Sequence, residues 1–166
     1  QGDAWLWLIG VKAFADGALG SRTAWMKRPY EKTDDRGMAL LDKDDLVQLR
    51  RRCHSQNLSI GIHAIGDAAV DLCLNILSGG NEGITDRIEH LQLIDGRDLE
   101  KVSSHVSAAV QPVHLLGDRE PADRWWGERA RYAYAFRTLL DQGVRLAFGS
   151  DAPVEDVNPW FSVQAA

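Results

Sequence analysis

"LSIGIHAIGDAAVDLCLNILSGG", residues 58–80, joins two kinds of segment end to end. Residues 58–65 are short and apolar and read as a strand. Residues 66–78 read as a helix, closed by Gly79-Gly80. A strand running straight into a helix is half of a β/α repeat, and the pattern continues in both directions. Upstream, "AWLWLIGVKAFA" (4–15) reads as a strand. A long polar connection leads from it to "DKDDLVQLRRRCHSQN" (42–57), where Leu46, Leu49 and Cys53 recur at helical spacing. Asp42 is the expected N-cap and Asp45 its capping-box partner. Downstream come a strand at 86–94, a short helix at 96–105 and a strand at 106–113. A long loop with Pro121 and Trp125-Trp126 is expected next, then a helix over 128–143 and a last strand over 144–153. Alternation of this kind predicts an α/β fold with a parallel sheet and helices outside it. Five strands fit either an open doubly wound sheet or rather more than half of an eight-stranded barrel. No GxGxxG follows the first strand and no GxxxxGK[ST] occurs, so dinucleotide and P-loop chemistry lose their main support.

Composition narrows the field. At 166 residues, 45% hydrophobic and 26% charged, the chain suits one globular domain with a real core. The net charge of -5 comes from mixed acids and bases with no basic block, which argues against a nucleic-acid partner. The longest apolar stretch, Ala4 to Val11, is too short to span a bilayer. Cys53 and Cys73 both fall in helix-like segments and suit free buried thiols, so a reducing, cytoplasmic setting is expected. The absence of an initiator Met and the abrupt ends lead us to expect a piece of a longer protein, present here as a single partial domain over 1–166.

Each strand carries its unusual polar residues late. Lys12 and then Asp16 follow the first strand, His63 the second and His90 the third. Gln111 and His114 end the fourth, and Ser150 and Asp151 the fifth. In β/α barrels, catalytic groups gather at the C-terminal ends of strands. Neutral imidazoles and carboxylates are ligands for a borderline divalent ion such as zinc. Asp151 could bind such an ion and also relay a proton to a leaving group. Taken singly, each residue has a plainer reading: a hydrogen-bonded core histidine, a snorkelling lysine, a turn aspartate. In "RIEHLQLI" (87–94) a period of two places Glu89 and His90 on opposite faces. His90 is expected inside the barrel mouth. Glu89 is expected to face the helix layer, with a partner other than Arg87.

Five motifs in order resemble one family: "VKAFADGALGSRTA" (11–24), "IHAIGDAAV" (62–70), "RIEHLQLI" (87–94), "VQPVH" (110–114) and "GVRLAFGSDAPVEDVNPW" (143–160). They look like the metal-dependent amidohydrolase superfamily, and more narrowly its amidohydrolase-3 or YtcJ-like branch, which includes N-substituted formamide deformylases. The resemblance implies a partial TIM (β/α)8 barrel, about strands four to eight. It implies that Lys12, carboxylated in many members, His63, His90 and Asp151 bind metal, with Asp151 also the general acid/base. It places Asp16, Arg22, Gln111 and His114 near the substrate or behind the ligands. The implied reaction is hydrolysis of a carbon–nitrogen bond in a small amide-like substrate by metal-activated water, with one or two divalent ions, zinc first among them, in the complete enzyme. The family's first barrel strand supplies a His-x-His pair, and none occurs among the histidines at 54, 63, 90, 105 and 114. The isolated chain is therefore expected to bind metal poorly and to be inactive, and its two open barrel edges invite self-association. The alternative is a non-catalytic β/α module that binds a small molecule or an anion.

Overall fold

Ile60, Ile62 and Ala64 are fully buried on one side of the second strand, while Gly61 and His63 face the other. That alternation sets the two faces of the whole sheet. A computed structural model describes residues 2–79, 83–102 and 106–166. Five strands, β1 (Gly10–Phe14), β2 (Ser59–Ala64), β3 (Arg87–His90), β4 (Ser107–Val110) and β5 (Arg145–Phe148), lie side by side in chain order, and every pair is parallel. Helices α1 (Lys43–Ser55), α2 (Asp67–Leu77), α3 (His114–Trp126), α4 (Phe136–Asp141) and α5 (Pro159–Ala165) connect or follow them, with 3-10 turns at Gly96–Lys101 and Gly127–Tyr132. Among the described residues, no helix is long and apolar enough to cross a membrane.

One face of the sheet builds the core. Ala13, Ile60, Ile62, Ile88, Ala108 and Val110 pack against Leu46 and Cys53 of α1, Val70, Cys73, Leu74 and Leu77 of α2, and Leu139 of α4. Each fully buried Leu or Ile stabilises the fold by about 1.5–3 kcal/mol relative to exposure. Both cysteines are buried and free, as their helical setting suggested. The register fixes the opposite face, because parallel partners share a side: Lys12 beside Gly61, His63 beside Glu89. A second apolar cluster lies under the long loops, where Leu19, Met26, Tyr30, Ile65 and Leu93 surround Ala122 and the fully buried Trp126.

Local signals explain several element ends. Asp42 caps α1 by accepting the Asp45 N–H at 2.9 Å. Asn158 caps α5 in the same way, with Pro159 in its first turn. Three expectations need correction. Residues 114–126 form α3 rather than a loop. Pro121 is unfavourable inside a helix, but Ala122 and Trp126, four residues apart, bury one face of it in the second cluster. The helix expected over 128–143 is broken into a 3-10 turn and the short α4. At the break, Tyr134 adopts a φ of 52° and gives its N–H to the Gln92 carbonyl at 2.8 Å. The first strand is five residues long rather than the expected 4–15, with Trp5 almost fully exposed. Gly80 and His105 lie outside the described residues.

The end of the sheet where the strands begin is tied by one ion pair. Arg50 of α1 donates to Asp86 at 2.7 Å, to the Ile76 carbonyl at 2.8 Å and to the Gly79 carbonyl at 2.7 Å. Asp86 also accepts from His54 at 2.9 Å and from the Ile60 N–H at 3.0 Å. α1, the end of α2, β2 and the entry to β3 thus meet at one carboxylate. Burial alone would raise its pKa; His54, the Ile60 N–H and Arg50 outweigh that and hold it below the ordinary 3.8. A depressed carboxylate stabilises the fold above its unfolded pKa, and that stability disappears as pH falls through the folded value. We predict that Asp86→Ala lowers unfolding free energy by about 3–5 kcal/mol, since it strands a largely buried guanidinium. Denaturant unfolding at neutral pH measures this. The same variant should also lose part of the acid-induced drop in stability below pH 3.8.

Candidate active site

The strand ends converge. Lys12 of β1, His63 of β2, His90 of β3, His114 at the start of α3 and Asp151 beyond β5 line one cleft of about 470 Å³. Phe14, Leu19, Ile65 and Val154 give it apolar walls, and Gln92, Asp118 and Glu155 add polar groups. Lys12 Nζ lies 3.9 Å from Asp151 Oδ1, and His90 Nε2 lies 4.0 Å from Asp151 Oδ2. The His63 and His90 rings meet edge to face at 4.5 Å, and His114 stacks on His90 at 6.0 Å.

His63 is held in one tautomer. Its Nε2 is 2.8 Å from the Gly17 carbonyl, which can only accept, so the proton sits on Nε2 and the lone pair on Nδ1. Behind it is Asp16, whose carboxylate has no solvent contact and lies 3.6 Å from the same nitrogen. Asp16 accepts three backbone N–H groups: Trp25 at 2.8 Å, Ile65 at 3.1 Å and Gly66 at 2.8 Å. Burial pushes its pKa up to about 7 against those three donors. Asp16 is thus not part of the cleft wall; it fixes the turn that carries His63. Burial also lowers the His63 pKa.

His90 reaches the cleft through a break in β3. Its φ is 72° and that of Leu91 is 44°, and Leu91 N–H closes a three-residue turn on the Glu89 carbonyl at 3.0 Å. The turn suspends strand alternation at the last residue. Both Glu89 and His90 therefore lie on the side away from the helices. Glu89 does not face the helix layer as expected: it is in register with His63 and pairs with Arg87. Arg87 and Glu89 are two residues apart in a strand, so they share a face. Gly61 leaves room for the pair, since a Cβ there would stand 2.8 Å from Glu89 Oε1.

Burial, then the neighbouring His63, His114 and Lys12, push the His90 pKa down to about 3, so the ring is neutral at physiological pH. Gln111 stands beside His90, close enough to influence its charge. Neither His90 Nδ1 nor Gln111 Oε1 meets hydrogen-bond geometry, and both are buried without a partner. His114 Nε2 is buried and unpartnered as well. Asp151 sits in a turn at φ 56°, closed by Val154 N–H on its carbonyl at 2.9 Å. Arg22 is not brought to the cleft; its guanidinium stacks over Trp125 at 4.7 Å.

Asp118 escaped the reading of the sequence, together with Gln92 and the adjoining Tyr134. Asp118 lines the cleft and accepts from Gln92 Nε2 at 2.7 Å and from the Tyr134 hydroxyl at 2.6 Å. The available signal was the spacing of His114 and Asp118, which share a face once 114–126 is recognised as a helix.

The donor types suit a divalent metal ion. Two neutral imidazoles and a carboxylate present nitrogen and oxygen lone pairs to one space. His63 already gives its other ring N–H to a backbone carbonyl, the orientation that metal-bound histidines adopt. Among the described residues, however, no three His, Cys, Asp or Glu side chains are closed into a ready ligand set.

Comparison with known proteins identifies the family. The model of the amidohydrolase family Amidohydro_3 matches residues 1–166. The protein LONG AFTER FAR-RED 3 of Arabidopsis thaliana is 39% identical over 171 residues, covering 98% of this chain and 29% of that protein. YtcJ of Bacillus subtilis (strain 168), named as an amidohydrolase, is 35% identical over 161 residues, covering 94% of this chain and 30% of that protein. A solved structure of an uncharacterized metal-dependent hydrolase from Pyrococcus horikoshii OT3 superposes with a TM-score of 0.87 at 35% identity, covering 96% of this chain and 33% of that one. The chain spans about three tenths of the length of the curated relatives it matches. Its α/β architecture of five parallel strands corresponds to part of an amidohydrolase β/α barrel. Matched along its whole length, the chain belongs to the amidohydrolase family.

Proposed function

We propose that this chain is the part of a metal-dependent hydrolase that supplies Lys12, His63, His90 and Asp151 to the cleavage of a carbon–nitrogen bond in a small amide-like substrate. The observation that carries the reading is the meeting of these four side chains, each from a different β/α unit, in one cleft. The donor set favours zinc. Lewis acidity from a divalent ion makes water nucleophilic near neutral pH and polarises a carbonyl.

The chain's own residues do the rest. His63 Nδ1 and His90 Nε2 offer the lone pairs, the first oriented by Gly17 and Asp16, the second backed by Gln111. Lys12 is cationic as it stands and becomes an oxygen donor only as a carbamate, the form we propose for the complete enzyme. Asp151 takes a proton from water and returns it to the departing nitrogen in this reading, which its position between Lys12 and His90 supports. His114 Nε2 is a free hydrogen-bonding group at the same cleft, suited to holding the substrate carbonyl. Phe14, Leu19 and Ile65 shelter these groups from bulk water.

Elemental analysis of the full-length parent protein tests the ligand assignment. The double variant His63→Ala/His90→Ala should lose its divalent metal while the wild type retains it; equal metal content in both rejects the assignment. A kinetic test addresses Asp151. Asp151→Asn should lower kcat on an amide substrate by about 100-fold or more, and wild-type turnover in that variant would remove Asp151 from the proton relay.

A further inference from the structure

Asp118 presents an unused charge to the cleft. It stands four residues after His114 on α3, so the two side chains share the face that lines the pocket. Gln92 Nε2 and the Tyr134 hydroxyl both donate to its Oδ2, at 2.7 and 2.6 Å. Its Oδ1 accepts from nothing among the described residues, and no cation pairs with the carboxylate there. Both donors are themselves locked. Gln92 is almost fully buried, and Tyr134 is held in a left-handed conformation by its N–H bond to the Gln92 carbonyl. Tyr134 remains protonated, because burial and the adjacent Asp118 raise its pKa.

Three chain segments thus fix the direction of one carboxylate. A neutral side chain could pin α3 to Gln92 and Tyr134 without the desolvation cost of a charge. The charge is satisfied by neutral donors on one oxygen only, and the other oxygen is left for a ligand. With Glu155 the cleft lining carries three acids, of which Asp151 faces the lysine of the lining, Lys12.

We infer that Asp118 is a specificity-determining residue that binds a protonated amine, or another cationic nitrogen, on the substrate at a position remote from the bond being cut. Gln92 and Tyr134 are its positioning residues. The inference rests on the amide-hydrolase reading, because the amine is assigned to the substrate of that cleft.

Binding tests it without turnover. N-(2-aminoethyl)acetamide, N-propylacetamide and N-acetyl-β-alanine share an amide and a chain length and differ in the charge at the far end. Titrated into this chain at low ionic strength and followed by NMR, the cationic amide should bind about tenfold more tightly than the neutral one. The anionic amide should bind most weakly. Asp118→Asn should erase that order, Tyr134→Phe should narrow it, and Glu155→Gln should leave it in place. Circular dichroism verifies that each variant is folded. Absence of binding or of charge preference in the wild type overturns the inference, as does a preference that survives in folded Asp118→Asn, stays at its full wild-type size in folded Tyr134→Phe, or disappears in Glu155→Gln. Turnover by the full-length parent separates the two readings. Charge-ordered binding of amides that the parent never hydrolyses sinks the hydrolase reading alone, and hydrolysis without charge order sinks the Asp118 assignment alone.

Discussion

Asp16 is a carboxylate without solvent contact that gathers three backbone N–H groups from two separate loops. The pocket end of the sheet depends on it. Ile65 and Gly66 belong to the turn between β2 and α2, and Trp25 to the long connection after β1. Without an acceptor, those three donors would be buried and unpaired, at about 1–3 kcal/mol each. The same anchorage fixes the residues around His63, whose tautomer follows from the neighbouring Gly17 carbonyl. A structural carboxylate thereby sets the lone-pair direction of a candidate ligand. The coupling is indirect: Asp16 holds backbone, and the backbone holds the imidazole.

The two ends of the sheet carry different kinds of polar group. Where the strands begin, Arg50 and Asp86 satisfy one another and neighbouring backbone groups, and every partner is a protein atom. Where they finish, His90, Gln111 and His114 keep buried nitrogen or oxygen atoms without partners. Buried polar groups normally find partners. Unsatisfied ones concentrated around a cleft are what a ligand-binding end should show, and a closed network at the opposite end is what stability requires.

Much of this was legible in the sequence, for identifiable reasons. The strands and the first two helices announce themselves through apolar runs and helical spacing, as in Leu58–Ile65 and in Leu46, Leu49 and Cys53. The convergence of His63, His90 and Asp151 follows once those strands are parallel and adjacent, because each sits at or just past the C-terminal end of its strand, while Lys12, midway along β1, reaches the cleft from the same face of the sheet. What escaped was set by tertiary contacts. α3 is a helix in spite of Pro121 because Trp126 has a deep site to fill. The segment over 128–143 has helical composition, yet Tyr134 is drawn out of helical geometry by Gln92 and Asp118. Asp118 was hidden by the same error, since an acid in a loop carries no directional information. Glu89 lies on the cleft side, with Arg87, because the turn at His90 suspends the alternation from which opposite faces for Glu89 and His90 were expected.

The turn at His90 has a wider meaning for how such a site can change. Residues within a strand are yoked to their neighbours: altering the pocket side disturbs register and packing on the helix side. His90 sits just past the point where that yoke ends, with Ile88 alone carrying the strand's share of the core. Its side chain is a replaceable fitting on a rigid mount. Asparagine or glycine, which tolerate a left-handed backbone, could occupy the position and leave the barrel architecture intact, whereas valine or isoleucine could not. The chemistry this position can present is therefore limited by one dihedral angle more than by the packing of the sheet.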